Sequence, residues 1–173
     1  WYTDKFLGRL IPEIRKQRPN AWVFFTSDHG QDVSGTGNKY HGSLTEPVVH
    51  VPLLVFPPAG QTPKVLPNLN SPTAHADILA TSLALMGLPP AVPIDGFNLL
   101  QPISPNRMRV STSYVKTLHN DPVASLVFSD GRRYQIQFDQ GSVLLDDGKT
   151  TIPYKDLPLE IRAIFDQRLE GKR

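Results

Sequence analysis

The stretch AWVFFTSDHG, residues 21–30, joins an apolar run to a carboxylate, an imidazole and a glycine. Its first part, residues 21–26, is short and apolar, which is typical of a strand in a sheet that is covered on both faces. Asp28, His29 and Gly30 follow at the end of this predicted strand. Because ligands of open α/β sheets bind beyond the carboxyl ends of strands, this end is a candidate functional site.

The segments on either side of this stretch predict an α/β fold. Residues 3–17 form an amphipathic helical pattern, which Pro12 is expected to kink or shorten. Val51 together with residues 53–56 forms a second predicted apolar strand. A helix, a strand, a loop and a strand in this order favour an α/β sheet. The expected inner face of the first helix consists of Phe6, Leu7, Leu10, Ile11 and Ile14.

Residues 71–87 carry the clearest helical pattern of the chain. Ser71 or Thr73 can cap the predicted helix, Pro72 suits its first turn, and Gly87 suits its C-terminal end. Its expected inner stripe consists of Ile78, Leu79, Leu83 and Met86.

After a proline-rich connection, the pattern changes to short strands, and we therefore predict two domains, residues 1–105 and 106–173. Hairpin-type turns are expected at residues 129–131 and 139–141. A final helix is predicted over residues 157–169, with Ile161, Ile164, Phe165 and Leu169 facing inward. The predicted strands are Met108–Ser113, Ser125–Phe128, Arg133–Phe138 and Ser142–Leu145.

The composition excludes some kinds of site and argues against one kind of partner. The chain has 173 residues, a net charge of +2 and no cysteine. The lack of cysteine excludes disulfides and thiolate metal sites. The basic residues are scattered rather than clustered on one face, so we expect no nucleic-acid partner.

Asp28 and His29 are candidate metal ligands. A carboxylate oxygen and an imidazole nitrogen together suit zinc, manganese or a similar divalent ion, and a turn at Gly30 can bring both side chains to one spot. His41 lies across the glycine-rich loop and can fold back onto the same place. The alternative is that Asp-His is only the polar start of a loop.

The other histidines have simpler interpretations. His50 precedes a predicted strand and is expected to be structural. His75 lies near a helix N-terminus, where packing or capping is the default role. His119 has no specific expected role.

Several segments, taken in order, resemble the sulfatase-like enzymes of the alkaline phosphatase superfamily. This resemblance covers residues 1 to about 100. It implies the C-terminal part of an alkaline-phosphatase-like α/β sandwich, followed by a small antiparallel β-sheet and a closing C-terminal helix. The segments that carry it are TSDHG (26–30), YHG (40–42), HVPLLVF (50–56), HADILATSL (75–83) and DGFNLL (95–100), with YTDKFL (2–7) before them.

The resemblance also implies roles for individual residues. Asp28 and His29 would bind a divalent metal, with zinc or manganese favoured and calcium compatible. His41 would be catalytic, contacting the phosphate or sulfate group or a second metal. The implied substrates are phosphate or sulfate esters, including lipid-linked ones.

Within the family, the details favour the membrane-anchored branch. This branch includes phosphoethanolamine transferases, lipoteichoic-acid-synthase-like enzymes and sulfatase-like inner-membrane proteins. It implies a catalytic domain on the periplasmic face of a bacterial inner membrane, anchored by helices outside this chain.

The family nucleophile, a Thr, Ser or formylglycine at a helix start, lies far upstream of the Asp-His pair, and Thr3 is too close to serve. We therefore expect a C-terminal portion of a larger protein that is inactive without its N-terminal part. An exposed sheet edge is expected to pair with a second copy. Gln31 replaces the Glu of many transferases, which favours a divergent member, whereas the retained Asp28, His29 and His41 favour an active enzyme. The alternative function is a non-catalytic domain that binds lipid headgroups or a membrane partner.

Overall fold

The chain divides into two compact units. Unit one comprises Trp1–Gly30, His50–Leu69 and Ala74–Ile103, and unit two comprises Gln31–Val49, Asn70–Thr73 and Ser104–Arg173. The boundary predicted between residues 105 and 106 stays a prediction. The computed structural model describes residues 1–33, 44, 46–62, 71–104, 107–113, 123–128, 130–137, 141–145 and 149–169.

Unit one begins with helix α1, Tyr2–Gln17, which passes through Pro12 without ending. Pro12 therefore does not shorten the helix, because one lost donor leaves the other backbone bonds of the helix in place, and the alternative of a kink stays a prediction. None of the residues of α1 is buried. Phe6 and Leu10 of the expected inner face are exposed, and the rest of that face is half-buried.

A two-stranded antiparallel sheet follows α1 in unit one. Strand β1, Val23–Thr26, pairs with β2, Leu53–Phe56, so that Thr26 lies opposite Leu53. All of β1 is half-buried rather than covered on both faces. The Arg15 guanidinium donates to the carbonyls of Ala21 and Pro57, which ties α1 to both strands.

Helix α3, His75–Leu85, starts later than the sequence predicts. Neither Ser71 nor Thr73 caps it. Instead, the backbone N–H of Ala74 donates to the Asp77 carboxylate over 2.8 Å. At the other end, Gly87 has a φ of 68° and supports two backbone bonds that close the helix, so the prediction for this glycine is confirmed.

The buried face of α3 is polar. Asp77 and Thr81 are fully buried, whereas Leu79 and Met86 of the predicted apolar stripe are exposed. Asp77 accepts the backbone N–H of Phe97 at 2.9 Å, and the Thr81 hydroxyl accepts that of Leu99 at 2.9 Å. The predicted stripe was wrong at these two positions because this face receives a backbone segment rather than apolar side chains.

Gly96 lets that segment approach α3 closely. A Cβ atom at residue 96 would lie 2.0 Å from the carbonyl oxygen of Ala76, which is inside van der Waals contact. Residues 96–99 therefore pack tightly against helix α3.

Unit two contains a five-stranded antiparallel sheet in the order β3-β4-β5-β6-β7. The register places Ala124, Ile136, Val143 and Ile152 side by side across four strands. The strands are β3 Met108–Ser113, β4 Val123–Phe128, β5 Arg133–Gln137, β6 Ser142–Leu144 and β7 Thr151–Pro153.

Helix α4, Leu159–Leu169, closes the core of unit two. Ile161 and Phe165 are buried in one cluster with the sheet, and Ile164 packs against it, which confirms these predicted inward positions. The helix begins after Pro158 because a residue that precedes proline, here Leu157, avoids helical backbone angles. Unit two also contains the short helix α2, Glu46–Val49, whose Glu46 forms an ion pair with Arg133.

Strand β7 is not among the strands predicted from the sequence. Pro153 argues against a strand, but β7 lies at the sheet edge, where a missing donor costs little. Gly131 has the positive φ of the predicted turn at 129–131. Across the described part of the chain, no helix combines the length and apolar character needed to cross a bilayer.

Gly96→Ala is expected to destabilise unit one. The added methyl group must displace the backbone of Ala76, and overpacking of this kind typically costs about 1–3 kcal/mol. Urea unfolding measures the change. Gly8→Ala is the matched control, because the space around Gly8 is open and alanine favours a helix. Equal stability of the two variants would contradict the close packing at residue 96.

Asp77→Ala is expected to lower the free energy of unfolding by roughly 2–5 kcal/mol, because two backbone N–H groups lose their acceptor. Asp77→Asn should cost less, since one amide oxygen can still accept. The exposed carboxylate of Asp156 provides the control, and Asp156→Asn should change stability by no more than about 0.5 kcal/mol. A neutral Asp77→Ala variant would refute the role given to this side chain.

Candidate functional site

The chain bends at residue 28 after β1, and residues 27–30, called the turn from here on, contain the Asp-His pair. The Ser27 hydroxyl donates to the backbone carbonyl of His29 at 2.7 Å. The backbone N–H of His29 donates to Oδ1 of Asp28 at 3.0 Å. These local bonds hold the two candidate ligands at the end of the strand, as the sequence predicts.

The His29 ring is oriented by a backbone carbonyl. Its Nδ1 lies 2.9 Å from the carbonyl oxygen of Gly30, and because a carbonyl only accepts, Nδ1 carries the hydrogen. The neutral ring therefore keeps a lone pair on Nε2. Histidines that bind metals typically donate their other N–H to a carbonyl or carboxylate in this way.

That lone pair faces Asp28. Nε2 of His29 lies 3.6 Å from Oδ2 of Asp28. Two ligand atoms about 2.1 Å from a common cation stand about 3.4 Å apart at a tetrahedral angle. The spacing of the pair thus fits two neighbouring positions around one divalent ion.

The electrostatics of the pair also favour a cation. The backbone N–H of His29, and then the positive charge of its imidazole when the ring is protonated, hold the pKa of the Asp28 carboxyl below its usual value. Asp28 is therefore an ionised carboxylate at neutral pH. Its side chain is 85% exposed, and that of His29 is 43% exposed, so the pair is open to a ligand from solution.

His75 also reaches this turn, which the sequence analysis did not predict. Its Nε2 lies 2.7 Å from the carbonyl oxygen of Ser27. The capping role considered for His75 belongs to Asp77. The 48-residue separation of His75 from Ser27 gives no local signal of their contact.

The remaining candidates add no further described ligand. His41, the predicted catalytic residue, and His119 lie outside the described residues. His50 is exposed and lies three positions before β2. Among the described residues, no group of three or more His, Cys, Asp or Glu side chains could hold a metal, so this part of the chain offers Asp28 and His29 as a two-ligand set.

The family comparison covers all the resemblance segments except DGFNLL at 95–100. A sulfatase family model matches residues 1–88. The uncharacterized sulfatase YidJ of Escherichia coli (strain K12) is 27% identical over 121 residues, which cover 69% of this chain and 24% of that protein.

Two mammalian relatives are arylsulfatases K. The protein of Rattus norvegicus is 33% identical over 106 residues, covering 60% of this chain and 18% of its own length. The protein of Canis lupus familiaris is 28% identical over 157 residues, which cover 87% of this chain and 28% of that protein.

No solved structure matches significantly. The chain spans 18 to 28% of the length of these relatives. Since the family match covers residues 1–88, just over half of the 173, the chain belongs to the sulfatase family, within the alkaline phosphatase superfamily.

Proposed function

We propose that the protein carrying this chain is a metal-dependent hydrolase of sulfate esters, and that Asp28 and His29 bind its divalent cation. The observation that carries this proposal is the 3.6 Å approach of His29 Nε2 to Asp28 Oδ2. Both atoms can donate a lone pair to the same ion. The named relatives, an uncharacterized sulfatase and arylsulfatases, support the choice of a sulfate ester.

The ligand types favour particular metals. An imidazole nitrogen beside a carboxylate suits zinc or manganese, whereas calcium takes oxygen ligands. We therefore propose zinc or manganese at this site, with calcium as the less favoured alternative. A divalent cation, when bound, neutralises charge on the anionic ester group and lowers the pKa of the nucleophile.

The residues of the turn have separate tasks in this proposal. Asp28 supplies the negative charge, and its exposed position leaves the site open to an ester. The Gly30 carbonyl fixes the tautomer and orientation of His29. His41 is proposed to contact the sulfate group, as the family resemblance implies. The nucleophile is proposed to lie outside this chain.

The finer sequence expectations stay predictions. These are phosphoethanolamine-type transfer, attachment to the periplasmic face of a membrane, lipid-linked substrates and a non-catalytic lipid-binding role. The named relatives favour hydrolysis over transfer, because their names identify them as sulfatases.

Asp28→Ala is expected to weaken binding of Zn²⁺ or Mn²⁺ to the metal-free intact protein by at least about tenfold, because one of the ligands is lost. Isothermal titration calorimetry measures the dissociation constant. Asp156→Asn removes an exposed carboxylate outside the site and should leave the affinity unchanged. Unchanged affinity in Asp28→Ala would remove Asp28 from the metal site.

The activity is tested with the intact protein on 4-nitrophenyl sulfate and 4-nitrophenyl phosphate. We expect the sulfate ester to be the better substrate. Asp28→Ala and His29→Ala should each lower kcat/KM by roughly 100-fold or more, since several kcal/mol of charge stabilisation depend on the ion. Preferential cleavage of the phosphate ester would overturn the substrate assignment. Metal binding without any turnover would instead favour the non-catalytic alternative.

A further inference from the structure

Helix α3 is held in place by the segment that follows it. The Asp77 carboxylate and the Thr81 hydroxyl accept the backbone N–H groups of Phe97 and Leu99. Thr81 also donates to the Asp77 carbonyl at 2.6 Å. Because Asp77 and Thr81 are fully buried, these bonds are shielded from water, and they give α3 a fixed position in unit one.

His75, the first residue of α3, extends from this fixed helix to the turn after β1. Its Nε2 lies 2.7 Å from the Ser27 carbonyl oxygen, which can only accept, so Nε2 carries the hydrogen and donates it. The same nitrogen therefore has no lone pair for a metal ion. In this geometry Nε2 of His75 is a donor to the turn rather than a ligand.

Several hydrogen bonds of the turn join close neighbours. They connect Ser27 to His29, His29 to Asp28 and His29 to Gly30, and they shape the turn internally. The bond from His75 crosses 48 positions of the sequence and ties the residue just before Asp28 to a helix.

We propose that His75 is a positioning residue for the metal site. By holding the Ser27 carbonyl, it keeps Asp28 Oδ2 and His29 Nε2 at the separation that one cation requires. This inference rests on the proposed function of the Asp28–His29 pair. The role differs from packing or capping, because it acts on the turn and not on the helix that carries the imidazole.

The magnitude is set by one hydrogen bond. Residues that orient metal ligands typically change affinity by about 10-fold to 100-fold. Because the His75 imidazole is exposed, the lower end of this range applies. A tenfold change in the dissociation constant corresponds to about 1.4 kcal/mol, which one bond can supply.

The experiment compares His75→Leu with His75→Gln in the intact protein. Leucine has no donor, whereas the amide nitrogen of glutamine has a reach similar to that of imidazole Nε2. We expect His75→Leu to weaken Zn²⁺ or Mn²⁺ binding by about tenfold, and His75→Gln to stay within about threefold of the wild type. Urea unfolding confirms that each variant keeps its fold.

A second readout needs neither metal nor activity. Hydrogen–deuterium exchange of the metal-free protein should be faster in the peptide that covers residues 24–31 of His75→Leu, and close to wild type in His75→Gln. Peptides from α3 should exchange alike in all three proteins, since Asp77 and Thr81 still hold the helix. Faster exchange spread throughout α3 would show that His75 only stabilises its own helix, and would overturn the proposal.

Metal binding of His75→Leu is also measured in protein that carries Asp28→Ala. This comparison distinguishes failure of the positioning role from failure of the proposed metal site. If His75 acts through the turn, His75→Leu should weaken metal binding only when Asp28 is present. If Asp28→Ala weakens binding but His75→Leu does not, the positioning role is wrong while the metal site stands. If Asp28→Ala leaves binding unchanged, the metal site itself is wrong, and the positioning role falls with it.

Discussion

The arrangement of unit one depends on the buried carboxylate of Asp77. A charge removed from water is costly unless it is fully hydrogen-bonded, and Asp77 accepts N–H groups from two different segments. The N–H of Ala74 lies at the start of α3, the helix that carries Asp77. The N–H of Phe97 lies in the segment that packs against α3. Both segments must therefore be in place together. His75 directly follows Ala74, so the position of His75 also depends on the Asp77 carboxylate.

Much of this architecture could be predicted from local patterns. Period-two alternation and glycine turns identified four strands of unit two, and Ile161 and Phe165 were recognised from their helical spacing. The Asp28–His29 pair was identified because adjacent residues at a strand end need no long-range information to come together. The bond from the Ser27 hydroxyl to the His29 carbonyl is likewise a local contact.

What the sequence analysis missed depends on contacts between distant residues or on position within a sheet. An apolar stripe predicts which face of a helix is buried only if that face meets other side chains. Helix α3 meets backbone donors instead, so Asp77 and Thr81 are buried while Leu79 is exposed. Asp and Thr four residues apart within an apolar helix are the signal that could have revealed this face. Likewise, Pro153 argued against a strand at 151–153, because a proline fits a sheet only in an edge strand, and the sequence does not show that β7 is one.

The two edge strands of the five-stranded sheet, β7 and β3, differ in the length of backbone that they offer for pairing. On one side, β7 is only three residues long and ends in a proline, which offers little backbone for another strand to join. On the other side, β3 is six residues long and contains no proline. Among the described strands, β3 is therefore the edge that offers more backbone for another strand to join.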